Sequence, residues 1–184
     1  VSSRNQKLKI KFLESGFSPD NFDIPLRGMK SEVGLFSEKN LPLLTSDAKL
    51  SKEYDAIIGS QTVRWEGEEV TLTQLSPVML KTDRKNREKA WKMAAKRRLE
   101  DRQSINEIWI KILKTRMSIA KNSGYGDYRA WRWEYLKRFD YTPEDCLTFH
   151  RSIEKVIVPL ADKLLKNRKE ALGLEKLKPW DLSV

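Results

Sequence analysis

Between Trp91 and Ala120 the apolar side chains recur at spacings of three and four for most steps. They are Trp91, Ala94, Ala95, Leu99, Ile105, Ile108, Trp109, Ile112, Leu113, Met117 and Ala120. That period gathers them on one side of an α-helix, whereas a strand would scatter them over two faces. Asp83 reads as the N-cap, and Ser123-Gly124 as the stop. The stretch therefore predicts one helix to about Asn122, long for an ordinary domain, with a kink near Asp101–Ser104.

The rest of the chain is mostly helical by the same signals. Residues 2–14 read as a helix ending at Ser15-Gly16. Ser18 with Pro19 predicts the start of a second helix, weakened by Pro25 and Gly28 into two pieces reaching about Lys39. Leu41-Pro42 reads as a break, followed by a short helix capped by Ser46 or Asp47 and closed by Gly59. A helix over about 127–138 aligns Tyr128, Trp131 and Tyr135. Thr142 with Pro143 opens another, whose stripe is Cys146, Phe149, Ile153, Val156, Ile157, Leu160, Leu164 and Leu165, ending near Gly173. Residues 61–73 break the pattern. Val63, Trp65, Val70 and Leu72 alternate about Glu66-Gly67, which predicts a β-hairpin. The fold class expected is all-α with one small hairpin, divided into an N-terminal helical region over 1–80 and a long-helix region over 81–184. Trp180 in the tail reads as a packing anchor.

Counting removes most catalytic chemistries. One histidine, His150, and one cysteine, Cys146, leave no set of three or four zinc ligands and no internal disulfide. His150 and Glu154 stand four apart on a helix and share a face, so they could offer two ligands, and Cys146 stands four before His150. The competing reading is a histidine paired with a carboxylate and a cysteine turned to the core. The glycines are scattered, and no H-E-x-x-H, G-x-S-x-G or C-x-x-C is present. No catalytic, cofactor-binding or metal-binding residue is therefore assigned.

Charge raises a different possibility. Residues 1–80 hold 10 basic and 11 acidic side chains, residues 81–184 hold 26 and 15, and so the whole net charge of +10 belongs to the second stretch. Arg84, Lys85, Arg87, Lys89, Lys92, Lys96, Arg97 and Arg98 crowd one helix. Residues 125–141 interleave seven aromatics with Arg129, Arg132, Lys137 and Arg138. Dense cations and stackable rings are what a nucleic acid needs. A solvated helix face and core aromatics explain the same residues. A nucleic-acid module built on 81–103 and 125–141 predicts that Arg84, Arg87, Lys96, Arg97, Arg132 and Arg138 converge on one exposed face. No apolar run is long enough to span a membrane, and VSSRNQKLKI has no apolar core of a secretion signal. A lone cysteine fits a reducing cytoplasm. The start at Val1 suggests a piece of a longer product.

Five stretches in order carry a resemblance: TVRWEGEEVTLTQL (62–75), DRKNREKAW (83–91), SGYGDYRAW (123–131), RFDYTPEDCLTFHRSIEKVIVPL (138–160) and LGLEKLKPWDL (172–182). Together they resemble the oligoendopeptidase F group of the thimet-oligopeptidase-like zinc peptidases. The resemblance implies a helical, neurolysin-like fold of two halves around a channel that admits oligopeptides. It implies zinc held by an H-E-x-x-H helix and a later glutamate, elements that follow the W-D-L segment seen here at Trp180–Leu182. None of them is in this sequence, so no ligand or catalytic residue is carried over. The expectation is a non-catalytic front portion and the opening of the catalytic domain. Its partner is the remaining catalytic part, its parent's substrates are oligopeptides, and zinc is bound by the parent and not by this chain. Neither a membrane nor a nucleic acid is expected as a partner. Apolar surface should then stand exposed.

Overall fold

A computed structural model describes residues 3–183. Eight α-helices and one two-stranded hairpin make up its regular elements, together with two short 3-10 turns among the described residues. The chain forms two compact units, residues 1–51 with 109–142 and residues 52–108 with 143–184. Each draws on both sides of residue 80.

The first unit contains α1 (Ser3–Glu14), α2 (Asp23–Leu35), most of α3 (Asn40–Gly59), the second part of α6 (Arg102–Asn122) and α7 (Tyr128–Tyr135). The helix expected over 2–14 is α1, with Ser2 outside the described residues. Two breaks expected from proline do not occur. Pro25 is the third residue of α2 and Pro42 the third of α3. The first turn of a helix has no intrahelical use for those N–H groups, so proline fits there without a kink. Ser18 does not cap α2, which starts after Phe22 without a side-chain cap. Asp47 lies inside α3, and its carboxylate accepts from Arg116 Nε at 2.8 Å.

The core of this unit joins Leu35, Ile119, Ala120 and Trp131, with Leu43, Tyr125 and Tyr128 packed against it. Asn40 is buried among them and fully used. Its Nδ2 donates to the Ile119 carbonyl at 3.0 Å and to Ser123 Oγ at 2.9 Å, and its Oδ1 accepts from Asn122 Nδ2 at 3.0 Å. Gly124 (φ 80°) ends α6 as the sequence predicts. Its N–H reaches the Lys121 carbonyl and the Tyr125 N–H reaches Ala120, a pair of bonds that needs a left-handed residue at this place.

The second unit holds the hairpin of β1 (Thr62–Trp65) and β2 (Glu68–Thr71), the single-turn helix α4 (Leu72–Leu75), α5 (Arg84–Glu100) and α8 (Pro143–Ala171). Val63 stands directly opposite Val70. The two-residue turn places Glu66 at φ 53° and Gly67 at φ 94°, the left-handed pair that matches strand twist in a tight hairpin. One hairpin face packs with Leu75, Val78 and Ala90 as a core, which also collects Trp65, Met79 and Ala94. Thr71 and Gln74 cap α4 reciprocally.

The single helix expected from Asp83 to Asn122 is two helices. Asp83 is the cap, accepting from the N–H groups of Lys85 and Asn86. The break falls at Asp101, where φ −92° and ψ 2° interrupt the helix. Its carboxylate accepts from Gln61 Nε2 at 2.9 Å and from Arg97 Nη1 at 2.6 Å. The hydrogen bond from Gln61, then that from Arg97, holds this carboxyl below its ordinary range against the opposing effect of burial. The expected stripe is only partly a core face. Of its members Ile108, Ile112 and Ala120 are buried, while Leu99, Trp109, Leu113 and Met117 are exposed; Ala90 and Ile119, outside the expected stripe, are buried as well. The fold class read from the sequence, all-α with one small hairpin, is the one observed.

Candidate functional site

The histidine and cysteine of the sequence both lie on α8. His150 and Glu154 are exposed there, and Cys146 is a half-buried free thiol. Among the described residues no three His, Cys, Asp or Glu side chains stand close enough to hold a metal ion. A stable zinc site takes three or four protein ligands. The described residues therefore do not fit zinc.

The basic segment is built inward rather than outward at its key positions. Arg87 is 2% exposed and Asp181 is 0% exposed. Arg87 Nε donates to the Trp180 carbonyl at 2.8 Å, and its Nη1 donates to the carbonyls of Lys81 and Thr82 at 2.8 and 2.9 Å. Its Nη2 lies 3.4 Å from Asp181 Oδ1. Arg84 grips the same carboxylate in two places, Nε to Oδ1 at 2.8 Å and Nη2 to Oδ2 at 2.9 Å. The Lys178 N–H adds a bond to Oδ2 at 2.9 Å. The Arg84 hydrogen bond chiefly holds the Asp181 carboxyl below its usual range, and burial opposes it. Arg84 is raised in turn by Asp181.

Trp180 completes this clasp. Its ring lies 5.6 Å from that of Trp91, and Arg84 and Lys92 approach it at 5.9 and 5.5 Å. Arg168, near the end of α8, donates to the carbonyls of Asp181 and Leu182. The clasp fixes the tail to α5 and is a structural device. Sequence reading found Trp180 as an anchor but missed its polar half. The available signal was Arg84 and Arg87 three apart on one helix face, with a lone Asp inside a Pro-Trp-Asp-Leu run.

Of the cations proposed to converge on a polyanion, Arg84, Arg87 and Arg97 have carboxylate partners in their own unit. The aromatic segment is likewise packed. Tyr128, Trp131 and Tyr135 stack in sequence, with centroids 5.4 and 5.1 Å apart. Trp131 is buried, and its indole N–H donates to Ser123 Oγ at 3.2 Å. Trp133, off that stripe, meets Tyr141 edge-on and carries Arg138 over its ring. Arg116 and Arg132 cover Tyr128 and Tyr135. Ring faces occupied by protein cations are not open stacking platforms.

What remains uncovered is apolar. No residue of α8 is buried over 29 residues. Phe149, Val156 and Leu164 are each 60% exposed or more. Trp109, Leu113 and Met117 make a second exposed row on α6. Soluble domains rarely leave so much apolar area open unless something binds it. No helix among the described residues is long and apolar enough to cross a membrane.

The model of peptidase family M3 matches residues 78–183. Among solved structures, Pz peptidase A with an inhibitor superposes at a TM-score of 0.83 with 32% identity over 86% of this chain. A structure described as oligoendopeptidase F from Bacillus anthracis str. Ames gives 0.87 at 24% identity over 97% of the chain. A further one described as oligoendopeptidase F gives 0.85 at 23% over 96%. The two below 25% identity bear on the fold alone. The chain spans 28%, 34% and 33% of those three structures' own lengths. No curated protein sequence matches.

Proposed function

Because this chain belongs to peptidase family M3, with more than half of its residues matched, we propose that it is the non-catalytic front portion of a zinc-dependent oligoendopeptidase. In this reading it supplies wall and bracing for a channel in which short peptides are hydrolysed, and the remaining catalytic part of the protein supplies the metal site. The observation that carries it is the family match over residues 78–183 in a chain whose described residues hold no metal-binding group. The uncovered apolar faces of α6 and α8 support it, since a scaffold meant to be packed by a further polypeptide leaves such faces open. A cytoplasmic location belongs to the same reading, in keeping with the lone reduced cysteine.

The test compares this chain with the product of its complete source reading frame on quenched fluorescent oligopeptides. The complete product is expected to cleave them and to lose that activity to a zinc chelator. The 184-residue chain alone is expected to be inactive. Chelator-resistant hydrolysis by the repurified chain alone would contradict the assignment.

The nucleic-acid reading is disfavoured by the internal pairing of Arg84, Arg87 and Arg97. It requires oligonucleotide binding that weakens steeply with added salt.

A further inference from the structure

The sequence of α8, set on a helix of about 100° per residue, gives two apolar stripes rather than one. The first is Phe149, Ile153, Val156, Ile157, Leu160 and Leu164. The second is Leu147, Val158 and Leu165. Between them runs a seam of His150, Glu154, Ala161 and Arg168, and the opposite face carries Arg151, Lys155, Asp162, Lys166 and Glu170. The two stripes and the seam together cover an arc of about 200°, whereas a helix packed on one side needs about half of that. Both stripes are open: Val156 is 66% exposed on the first, and Leu147 and Val158 are 48% and 47% exposed on the second.

We propose that α8 is a docking helix enclosed from two sides, each stripe taking a separate element from the part of the M3 fold that this chain does not contain. The proposal deepens the functional reading above and rests on it. Three observations choose that occupant. The solved relatives are about three times as long as the stretch matched here. The chain's own elements bury no residue of α8. A face of only about 160° remains for solvent, narrower than that of a helix that lies on a surface with one apolar stripe. The seam adds a requirement on the occupant. His150 and Glu154 become enclosed between the two contacts, so the covering elements must bring hydrogen-bonding groups to them. The net charge of +10 favours an acidic occupant overall.

Single cysteines test the two sides separately. In a Cys146→Ser background, Phe149→Cys reports the first stripe, Val158→Cys the second, and Lys155→Cys the charged face. Maleimide labelling rates at each position are read by peptide mass, in this chain alone and in the product of the complete source reading frame. The expected result is labelling at least about tenfold slower at positions 149 and 158 in the complete product, with position 155 changed less than about twofold. Slowing at one stripe only, or at neither, overturns the two-sided docking and leaves the peptidase reading intact. Concentration-dependent slowing in this chain alone makes a second copy the occupant and also overturns it. A complete product that protects both stripes yet cleaves no peptide keeps the docking and removes the peptidase reading. A complete product no longer than this chain overturns both.

Discussion

Arg87 shows how one residue decides between two readings of a basic helix. In the sequence it is one of eight cations crowded into a short run, equally suited to a phosphate backbone or to solvent. In the fold it is buried, with Nε and Nη2 spent on the tail (the Trp180 carbonyl and the Asp181 carboxylate) and Nη1 on the Lys81 and Thr82 carbonyls before α5. Without Arg87 the Asp181 carboxylate is still held by Arg84, but the Trp180, Lys81 and Thr82 carbonyls lose their donor. Arg87→Met is therefore expected to destabilise the chain by at least about 1–3 kcal/mol in denaturant titration, the cost of unsatisfied buried polar groups. Lys85→Met, one residue from Arg84 but solvated, should stay within about 0.5 kcal/mol.

The carboxylates give the pH dependence. Asp181, Asp101 and Glu32 are all held below their ordinary range, by Arg84, Gln61 and Lys137 first in each case. A depressed carboxyl contributes stability that is complete above its unfolded value, about 4, and lost as the pH falls through its folded value. Thermal stability should thus be flat from neutrality to about pH 5 and fall below it. A stability that rises on acidification through that window would contradict these assignments. Burial was the hidden variable at this scale. Trp131 was legible as core because it falls at helical spacing with Tyr128 and Tyr135, and Trp180 as an anchor because a large ring in a polar tail gains by burial. Asp181 was not, because an acidic residue near a chain end reads as solvated until its two arginines are seen around it.

At the scale of elements, periodicity and caps placed most helices, and proline misled. Pro25 and Pro42 look like breaks in a linear sequence but sit in first turns, where the missing N–H costs nothing. Pro159 is the opposite case. It lies deep within α8, removes the bond to the carbonyl of residue 155, and crowds that turn. Pro159→Ala is expected to raise the melting temperature and helical ellipticity, by up to about 3 kcal/mol of helix stability. An unchanged or lowered melting temperature would mean that α8 uses the distortion. The break at Asp101 was legible as a kink near Asp101–Ser104. Its cause was not, since Gln61 reaches it from 40 residues away in sequence. The stripe from Trp91 to Ala120 predicts one helix, and it is shared by two, α5 and α6, with some members buried and others exposed. Periodicity tells which residues share a side and says nothing of whether a neighbour exists to cover it.

Each unit leaves an apolar row uncovered, on α6 in the first and on α8 in the second. An open 29-residue amphipathic helix and a charge of +10 are what the proposed role, a component packed by a further polypeptide, calls for. The resemblance to oligoendopeptidase F was carried by the order of five short stretches, and the match to family M3 over residues 78–183 agrees with it. The metal chemistry of that family could not be read from this chain, because the histidines that would carry it are not among its residues. The most direct test is to read the source reading frame past residue 184. The account predicts a continuation carrying H-E-x-x-H on a helix, with a further glutamate downstream. A frame that closes at once, or that continues without such a helix, would contradict the claim that this chain is the front portion of a zinc oligopeptidase.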